Sequence, residues 1–200
     1  MSKVIWIDTE TTGLDAGVHA LVEIGFIIEV DGVEVEKFAF TLNPYSYNRE
    51  IEINSKALEI NGKTIEELKL FDDSNRCFDW FMIVLGKYID KFDKKDKYVI
   101  KGYNVEFDIG FIKDWFLDNG YEYFGSWFSY KEVDVFALVK VLKDQNVFET
   151  ENDKLLTLCK HFDIELNAHN ALDDIVATKK LYTILTNKYI VGVKDGNKSI

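Results

Sequence analysis

The alternation of apolar and polar positions near the start of the chain predicts three β-strands. Residues 3–8 form a short apolar run, and residues 21–30 and 33–42 form two longer runs that suit strands. The pair Asp31-Gly32 separates the two longer runs, and this dipeptide favours a two-residue hairpin turn. We therefore expect the second and third strands to pair in an antiparallel manner.

After the third strand the apolar positions recur every three or four residues, which is typical of helices. Ser55 and Thr64 are predicted to cap two short helices, and Gly62 to end the first of them. The remaining predicted elements are strands at 98–103 and near 130–135, and helices at 76–92, 107–120, 135–143, 153–162 and 170–187. Three strands followed by alternating strands and helices predict an α/β fold in which helices flank a mixed sheet.

Length and composition favour a single domain. The chain has 200 residues, of which 47% are apolar and 30% are charged, and these values suit one globular domain with its own core. We predict one domain over residues 1–190 and a frayed tail over 191–200. Cys77 and Cys159 lie in apolar helical contexts and are predicted to be buried free thiols. No stretch has the character of a signal peptide or a membrane span, so we expect a cytoplasmic protein without membrane contact.

Two carboxylates lie at the carboxyl end of the first predicted strand, in the sequence VIWIDTETTG. Side chains two positions apart on a strand share a face, so Asp8 and Glu10 are expected side by side. An arbitrary pair of this kind is usually a solvated strand end. Here the preceding apolar run places the pair at the carboxyl end of a central strand, where α/β proteins bind ligands. Repulsion between the two charges raises at least one pKa unless a cation lies between them.

A third and a fourth acid occur in helical contexts further along the chain. Asp108 lies early in a predicted helix, where it is either a ligand-binding group or a first-turn residue that interacts with the helix dipole. Asp174 lies on the predicted core-facing stripe of the last helix and therefore needs a partner. His169 immediately precedes that helix, and a lone histidine at such a position is more often incidental.

The net charge of −11 argues against a general duplex-binding protein, because an acidic surface repels the phosphate backbone. It is compatible with an enzyme that holds a few nucleotides through bound cations, since the cations supply positive charge. Carboxylate oxygens are hard ligands that suit Mg²⁺ or Mn²⁺ rather than zinc. The sequence contains no phosphate-binding glycine loop, nucleophile elbow or zinc-ligand spacing.

The acids and the histidine occur in three motifs, DTETTG, NVEFDIGF and HNALDD, spread across residues 3–187. In order and spacing these motifs resemble those of the DEDDh 3′–5′ exonucleases, a DnaQ-like family. The resemblance implies a ribonuclease-H-like fold with a five-stranded mixed sheet, in which the first three strands are antiparallel and the others parallel. It also implies release of nucleoside 5′-monophosphates from the 3′ end, one at a time.

Roles for individual residues follow from the same resemblance. Four acids would hold two divalent ions, Mg²⁺ or Mn²⁺: Asp8, Glu10, Asp108 and Asp174. Among them Asp108 would act mainly through metal-bound water, and His169 would take the proton from the attacking water. Five further residues would contact the terminal nucleotide: Thr11, Thr12, Leu14, Asn61 and Asn104. Asn61 stands where proofreading members of the family carry a histidine, so the chain departs from the family pattern there.

The expected substrates are single-stranded DNA or RNA 3′ ends, and we place DNA ahead of RNA. An oligoribonuclease-like or RNA-trimming exoribonuclease is the first alternative, and the acidic surface also suits a hydrolase of very short substrates. A non-catalytic module that binds nucleic-acid ends is a further alternative, although buried carboxylates without a cation would destabilise it. The family contains dimers and polymerase subunits, so homodimerisation and polymerase association both stay open.

Overall fold

A mixed β-sheet forms the centre of the computed structural model, in which residues 1–167 and 170–191 are described. Its strands are β1 (Lys3–Thr11), β2 (Leu21–Val30), β3 (Val33–Asn43), β4 (Asp72–Asp73), β5 (Val99–Gly102) and β6 (Val133–Asp134). Within the described residues the strand order is β4-β3-β2-β1-β5-β6. β1, β2 and β3 pair antiparallel, whereas β5 lies parallel to β1 and β6 parallel to β5. The predicted α/β class and mixed sheet are confirmed.

Helices pack against both faces of this sheet. They are α1 (Ser55–Asn61), α2 (Ile65–Leu68), α3 (Ser74–Gly86), α4 (Val105–Asp118), α5 (Val135–Asp144), α6 (Leu155–His161) and α7 (Ala171–Leu185). Short 3₁₀ turns occur at Pro44–Ser46 and Phe124–Ser126, and a π-helical segment, Thr186–Val191, extends α7. Each predicted helix is therefore present in the described part of the chain.

The sheet has one more strand than the five expected from the sequence. The additional strand, β4, is only two residues long and pairs in parallel with Leu42 and Asn43 at the end of β3. A segment of two acidic residues carries no apolar alternation, so the sequence pattern could not reveal it.

Several helix boundaries differ from the predicted ones because side-chain caps decide where a helix begins. Asn54, not Ser55, caps α1, and Ser55 is the first helical residue. α3 begins directly after its cap, Asp73, and ends at Gly86 rather than at residue 92. Ile89 is nevertheless buried beyond the end of α3. The apolar spacing therefore predicted correctly that Ile89 is buried, but wrongly that the helix continues to it.

Three local signals in the sequence were correct at the level of single residues. Thr64 forms a capping box at the start of α2, and Gly62 ends α1 with a left-handed φ of 67°. Asp31 and Gly32 take φ values of 51° and 81° at the hairpin between β2 and β3. Positive φ at both central residues is what a two-residue hairpin turn of this kind requires.

Side chains along β1 alternate between two apolar cores. Ile7 belongs to the core that includes α3 and α4, whereas Trp6 belongs to the core that includes α5, α6 and α7. Because successive strand residues face opposite sides, the same alternation directs Asp8 and Glu10 toward α7, and Thr9 toward α4. The pattern of β1 therefore decides which helix each residue of the DTE segment meets.

A glycine on β2 allows the start of α7 to approach the sheet closely. Gly25 lies opposite Asp8 in the antiparallel register of β1 and β2. A methyl group on Gly25 would lie 2.5 Å from backbone atoms of Ala171 and Leu172. Glycine is thus required at this position for α7 to begin next to Asp8.

We expect Gly25→Ala to lower the free energy of unfolding by about 1–3 kcal/mol, the usual cost of overpacking a close contact. Urea denaturation followed by circular dichroism would measure the change. Gly110→Ala in α4 is the matched control, because a methyl group there meets nothing within 4 Å and alanine is the better helix former. Equal losses in the two variants would contradict the close approach.

The structure tests the prediction about the cysteines but not the prediction about the end of the chain. Cys77 and Cys159 are both buried and free, as predicted. Of the predicted tail at 191–200, all residues after 191 lie outside the described residues. None of the helices in the described ranges has both the length and the apolar character that crossing a bilayer demands.

Candidate active site

Three of the predicted acids converge at the carboxyl end of β1. Asp8, Glu10 and Asp174 each offer a carboxylate oxygen, and these oxygens all lie within 4.8 Å of one another. The three side chains are half-buried. Residues separated by more than 160 positions thus form one compact cluster, as the sequence predicted.

The start of α7 brings Asp174 to the strand. Asn170 caps this helix by accepting a hydrogen bond from the backbone N–H of Asp173, at 3.1 Å. Ala171, Thr178 and Leu181 are fully buried along the inner face of α7. Asp174 lies on that same face, one turn from the helix start, and therefore points at the end of β1 rather than at solvent.

Asp108 lies beside this cluster and is held by a different contact. Its Oδ1 accepts a hydrogen bond of 2.6 Å from the hydroxyl of Thr9, and the residue is only 3% exposed. Burial raises the pKa of Asp108 to about 7, against the opposing effect of the bond from Thr9. Asp108 is absent from the close group of three acids, which agrees with the predicted indirect role but does not test it.

The electrostatics of the cluster are unfavourable without a cation. Burial raises the pKa of Asp8 well above its usual range, and repulsion from Asp108, Asp174 and Glu10 adds to the shift. Burial also raises the pKa of Glu10 to about 7, although Lys63 opposes the change. A divalent ion among these oxygens would relieve both the burial and the repulsion.

The donor set fits a hard divalent cation. Among the residues that the structure describes, the close group consists of three carboxylates and contains neither a thiolate nor an imidazole. Oxygen-only ligands suit Mg²⁺ or Mn²⁺, whereas structural zinc sites usually include cysteine or histidine. The described residues of the cluster can therefore hold the metal that the motifs imply.

A cleft of about 330 Å³ opens next to the acids. Its walls combine Asp8 and Asp174 with Tyr103, Lys154 and the apolar residues Leu155, Leu156 and Leu166. An anionic chain entering this cleft would meet one lysine, one aromatic ring and the acidic cluster. The size and polarity suit one or two nucleotide units better than a duplex.

Two of the predicted substrate-binding side chains are engaged inside the protein. The Thr12 hydroxyl donates to the carbonyl of Glu52 at 2.8 Å and accepts from the N–H of Ala20 at 2.9 Å. The buried Asn61 amide donates to the carbonyl of Thr11 at 3.2 Å. These bonds hold the segment that follows Glu10 in place, and direct nucleotide contact by these side chains stays a prediction.

The other predicted substrate-binding residues lie around the same segment. The Thr11 hydroxyl donates to the carbonyl of Gly13 at 2.6 Å. Leu14 is 85% exposed directly after this turn. Asn104 is exposed at the start of α4 with a left-handed φ of 58°, and its N–H donates to Asp134. Both exposed side chains are available to a ligand.

The predicted base, His169, lies outside the described residues. Its neighbour in the chain, Asn170, is described and caps α7. The role of His169 therefore rests on the HNALDD motif.

Sequence reasoning missed two charged residues at the edge of the cluster. Glu23 is 5% exposed on β2, directly opposite Glu10, and forms a 2.7 Å ion pair with Lys63. A signal for Glu23 was present, since a glutamate interrupts the otherwise apolar run LVEIGF. Lys63 follows a helix-ending glycine and could not be distinguished from an ordinary surface lysine.

The fold is ribonuclease-H-like, with a mixed sheet and crowded carboxylates at the carboxyl end of β1. The family model RNase_T, described as an exonuclease, matches residues 5–182. The chain belongs to this exonuclease family, whose members are metal-dependent hydrolases. The family assignment and enzyme class predicted from the motifs are confirmed.

The chain is similar to a small part of much longer bacterial polymerases. It is 27% identical over 182 residues to DNA polymerase III PolC-type of Halalkalibacterium halodurans, covering 90% of this chain and 11% of the polymerase. The corresponding polymerase of Lacticaseibacillus paracasei is 28% identical over 170 residues, with coverage of 84% and 10%. The chain thus spans about a tenth of the length of these relatives.

Solved structures of Exonuclease I share the fold. The E. coli enzyme in complex with a dT13 oligonucleotide superposes with a TM-score of 0.77 at 20% identity, covering 98% of this chain and 43% of that one. The complex with a dA16 oligonucleotide gives a TM-score of 0.75 at 20% identity, with coverage of 94% and 41%. The likeness confirms the architecture of the sheet and its flanking helices.

Proposed function

We propose that this chain is a 3′–5′ exonuclease that removes nucleoside 5′-monophosphates from single-stranded 3′ ends, with DNA preferred to RNA. The convergence of Asp8, Glu10 and Asp174 carries the proposal. A group of half-buried acids this close is costly unless it binds cations, and the family supplies the reaction class. Residues 1–190 are proposed to form a single exonuclease domain.

Two divalent cations, Mg²⁺ or Mn²⁺, are proposed as the cofactors. Asp8, Glu10 and Asp174 would hold them directly, and Asp108 would contribute indirectly from its bond with Thr9. When bound, such a pair of cations neutralises the scissile phosphate and stabilises the attacking and leaving oxygens of an in-line displacement.

The chain's own side chains account for the rest of the proposed mechanism. His169 accepts the proton of the attacking water, a task that suits an imidazole near neutral pH. The exposed side chains of Leu14 and Asn104 contact the terminal nucleotide. Hydrogen bonds of the Thr11 and Thr12 hydroxyls fix the backbone segment that leads to Leu14. Tyr103 lines the cleft and offers a ring on which a base can stack.

The preference for DNA draws on the comparisons as well as on the cleft. The curated relatives are DNA polymerases, and the structural neighbours include complexes with dT13 and dA16 oligonucleotides. The narrow cleft and the net charge of −11 both favour a single strand over a duplex. Association with a polymerase is proposed on the same basis, with a homodimer as the alternative.

Degradation of 5′-labelled oligonucleotides tests the activity and the substrate together. DNA and RNA of matched sequence, as dinucleotides and as twenty-mers, are incubated with Mg²⁺ or Mn²⁺. We expect ladders that shorten from the 3′ end, with the DNA twenty-mer degraded fastest. Faster cleavage of RNA or of dinucleotides would support the exoribonuclease alternative. Metal-independent binding of 3′ ends without cleavage would support the non-catalytic module.

Binding of Mn²⁺ is expected to stabilise the fold, because the ion binds only the assembled cluster. Saturation at about one hundred times the dissociation constant should raise the melting temperature by about 5–10 °C. Differential scanning calorimetry with and without Mn²⁺ measures this shift. Asp174→Asn should lose most of it, whereas Asp173→Asn, at an exposed position next in sequence, should keep it. An equal shift in both variants would argue against the assigned ligands.

A further inference from the structure

A nearly buried ion pair lies at the border of the acidic cluster. Lys63 Nζ is 2.7 Å from Glu23 Oε2, and the two side chains are 11% and 6% exposed. Glu23 is the cross-strand neighbour of Glu10 in the register of β1 and β2. Without Lys63, Glu23 would add another uncompensated carboxylate to a site that is already crowded with them.

The second oxygen of Glu23 contacts the helix that carries Asp174. The backbone N–H of Ala171, the first residue of α7, donates to Glu23 Oε1 at 3.1 Å. This N–H is one of the helix-terminal donors without a partner inside the helix, and Ala171 is fully buried. Glu23 therefore satisfies a buried donor that water cannot easily reach.

Glu23 and Gly25 act on the same turn of α7 from the same face of β2. Gly25 leaves room for the backbone of Ala171 and Leu172, while Glu23 bonds to the N–H of Ala171. Asp174 is the next residue on that helix face, one turn further on. Any shift of the helix start would move the Asp174 carboxylate relative to Asp8.

We propose that Glu23 is a positioning residue for the metal site and that Lys63 holds it in place. The carboxylate of Glu23 connects three parts of the site. Glu23 itself lies on β2 opposite Glu10, and its two oxygens contact Lys63 in the loop after α1 and the first turn of α7. Its function is to set the distance between Asp174 and the acids of β1. This inference rests on the proposed function, because it assumes that these acids bind a divalent cation.

Two conservative variants distinguish an effect of where the Glu23 side chain reaches from an effect of its charge. Glu23→Asp keeps the charge but is one methylene shorter, so it cannot reach both Lys63 and Ala171. The double variant Glu23→Gln with Lys63→Gln removes both charges and keeps an oxygen at position 23 for the N–H of Ala171. If position matters, the aspartate variant is the defective one and the neutral pair is close to wild type.

Mn²⁺ itself is the probe, and its dissociation constant is measured by titration calorimetry on the full chain. We expect Glu23→Asp to weaken Mn²⁺ binding by about ten- to one-hundred-fold, the loss typical when a partner that orients a metal ligand is removed. The same variant should lose kcat with little change in KM for a DNA oligonucleotide, because substrate contacts are untouched. The neutral pair should recover both values.

Lys179→Met is the matched control. Lys179 on α7 pairs with Glu29 on β2 at 2.5 Å and with Glu34 on β3 at 3.0 Å. The change therefore removes ion pairs between α7 and the sheet, more than one turn beyond Asp174. It should lower the melting temperature without changing Mn²⁺ affinity. The positioning role would be overturned if the neutral pair bound Mn²⁺ weakly while Glu23→Asp bound it as tightly as the wild type. Equal Mn²⁺ affinity in all variants would also overturn it. Absence of Mn²⁺ binding by the wild-type protein would instead overturn the proposed function.

Discussion

Asp8→Asn is expected to reduce exonuclease turnover by about a thousand-fold or more. Asp8 lies at the centre of the repulsion in the cluster, since Asp108, Asp174 and Glu10 all raise its pKa. Asparagine retains the shape and one oxygen but loses the charge that attracts a divalent cation. The rate of 3′-terminal release from a labelled DNA oligonucleotide measures the loss.

The fold of this variant should remain intact. Removing one of several crowded carboxylates reduces repulsion, so the metal-free variant should melt at a higher temperature than the metal-free wild type. Asp31→Asn is a suitable control, because Asp31 lies in the hairpin turn between β2 and β3, at the opposite end of β1, and asparagine accepts positive φ equally well. Wild-type turnover in Asp8→Asn would refute the assignment of the cluster as the active site.

His169→Gln is expected to lower kcat by about 10²–10⁴-fold, the usual contribution of a general base. Unlike Asp8→Asn, it should leave Mn²⁺ affinity unchanged, because His169 is proposed to handle a proton and not to bind metal. Single-turnover kinetics at saturating Mn²⁺ would separate the chemical step from product release.

The control for this variant is His161→Gln. His161 lies at the end of α6, where its ring packs near Phe148 and Phe162, and its replacement should not affect catalysis. If His169→Gln lost Mn²⁺ binding together with kcat, the histidine would be a ligand, and the proposed division of roles would be wrong.

Much of the fold could be predicted because local chemistry and tertiary structure agree. The Asp31-Gly32 turn, the helix cap at Thr64 and the helix end at Gly62 depend on a few neighbouring residues, and each was found where expected. The inner face of α7 was likewise predictable, since a helix that packs on a sheet needs an apolar stripe.

Other features could not be predicted because they depend on contacts across the chain. β4 exists only because two acidic residues happen to lie beside the end of β3. Thr12 and Asn61 hold the turn after β1 through partners 40 and 50 positions away in sequence. Glu23 could be noticed as an anomaly in an apolar strand, but its two partners, Lys63 and Ala171, required coordinates.

The sequence by itself indicated the acids that we propose for the chemistry and determined on which face of its element each lies. Strand alternation places Asp8 and Glu10 on one side, and helical periodicity places Asp174 on the inner side of α7, because both repeats are properties of the backbone. Only the tertiary structure decided that these faces meet closely enough to share an ion. That distance depends on how near α7 can approach β2, and Gly25 together with the bond from Ala171 to Glu23 sets it.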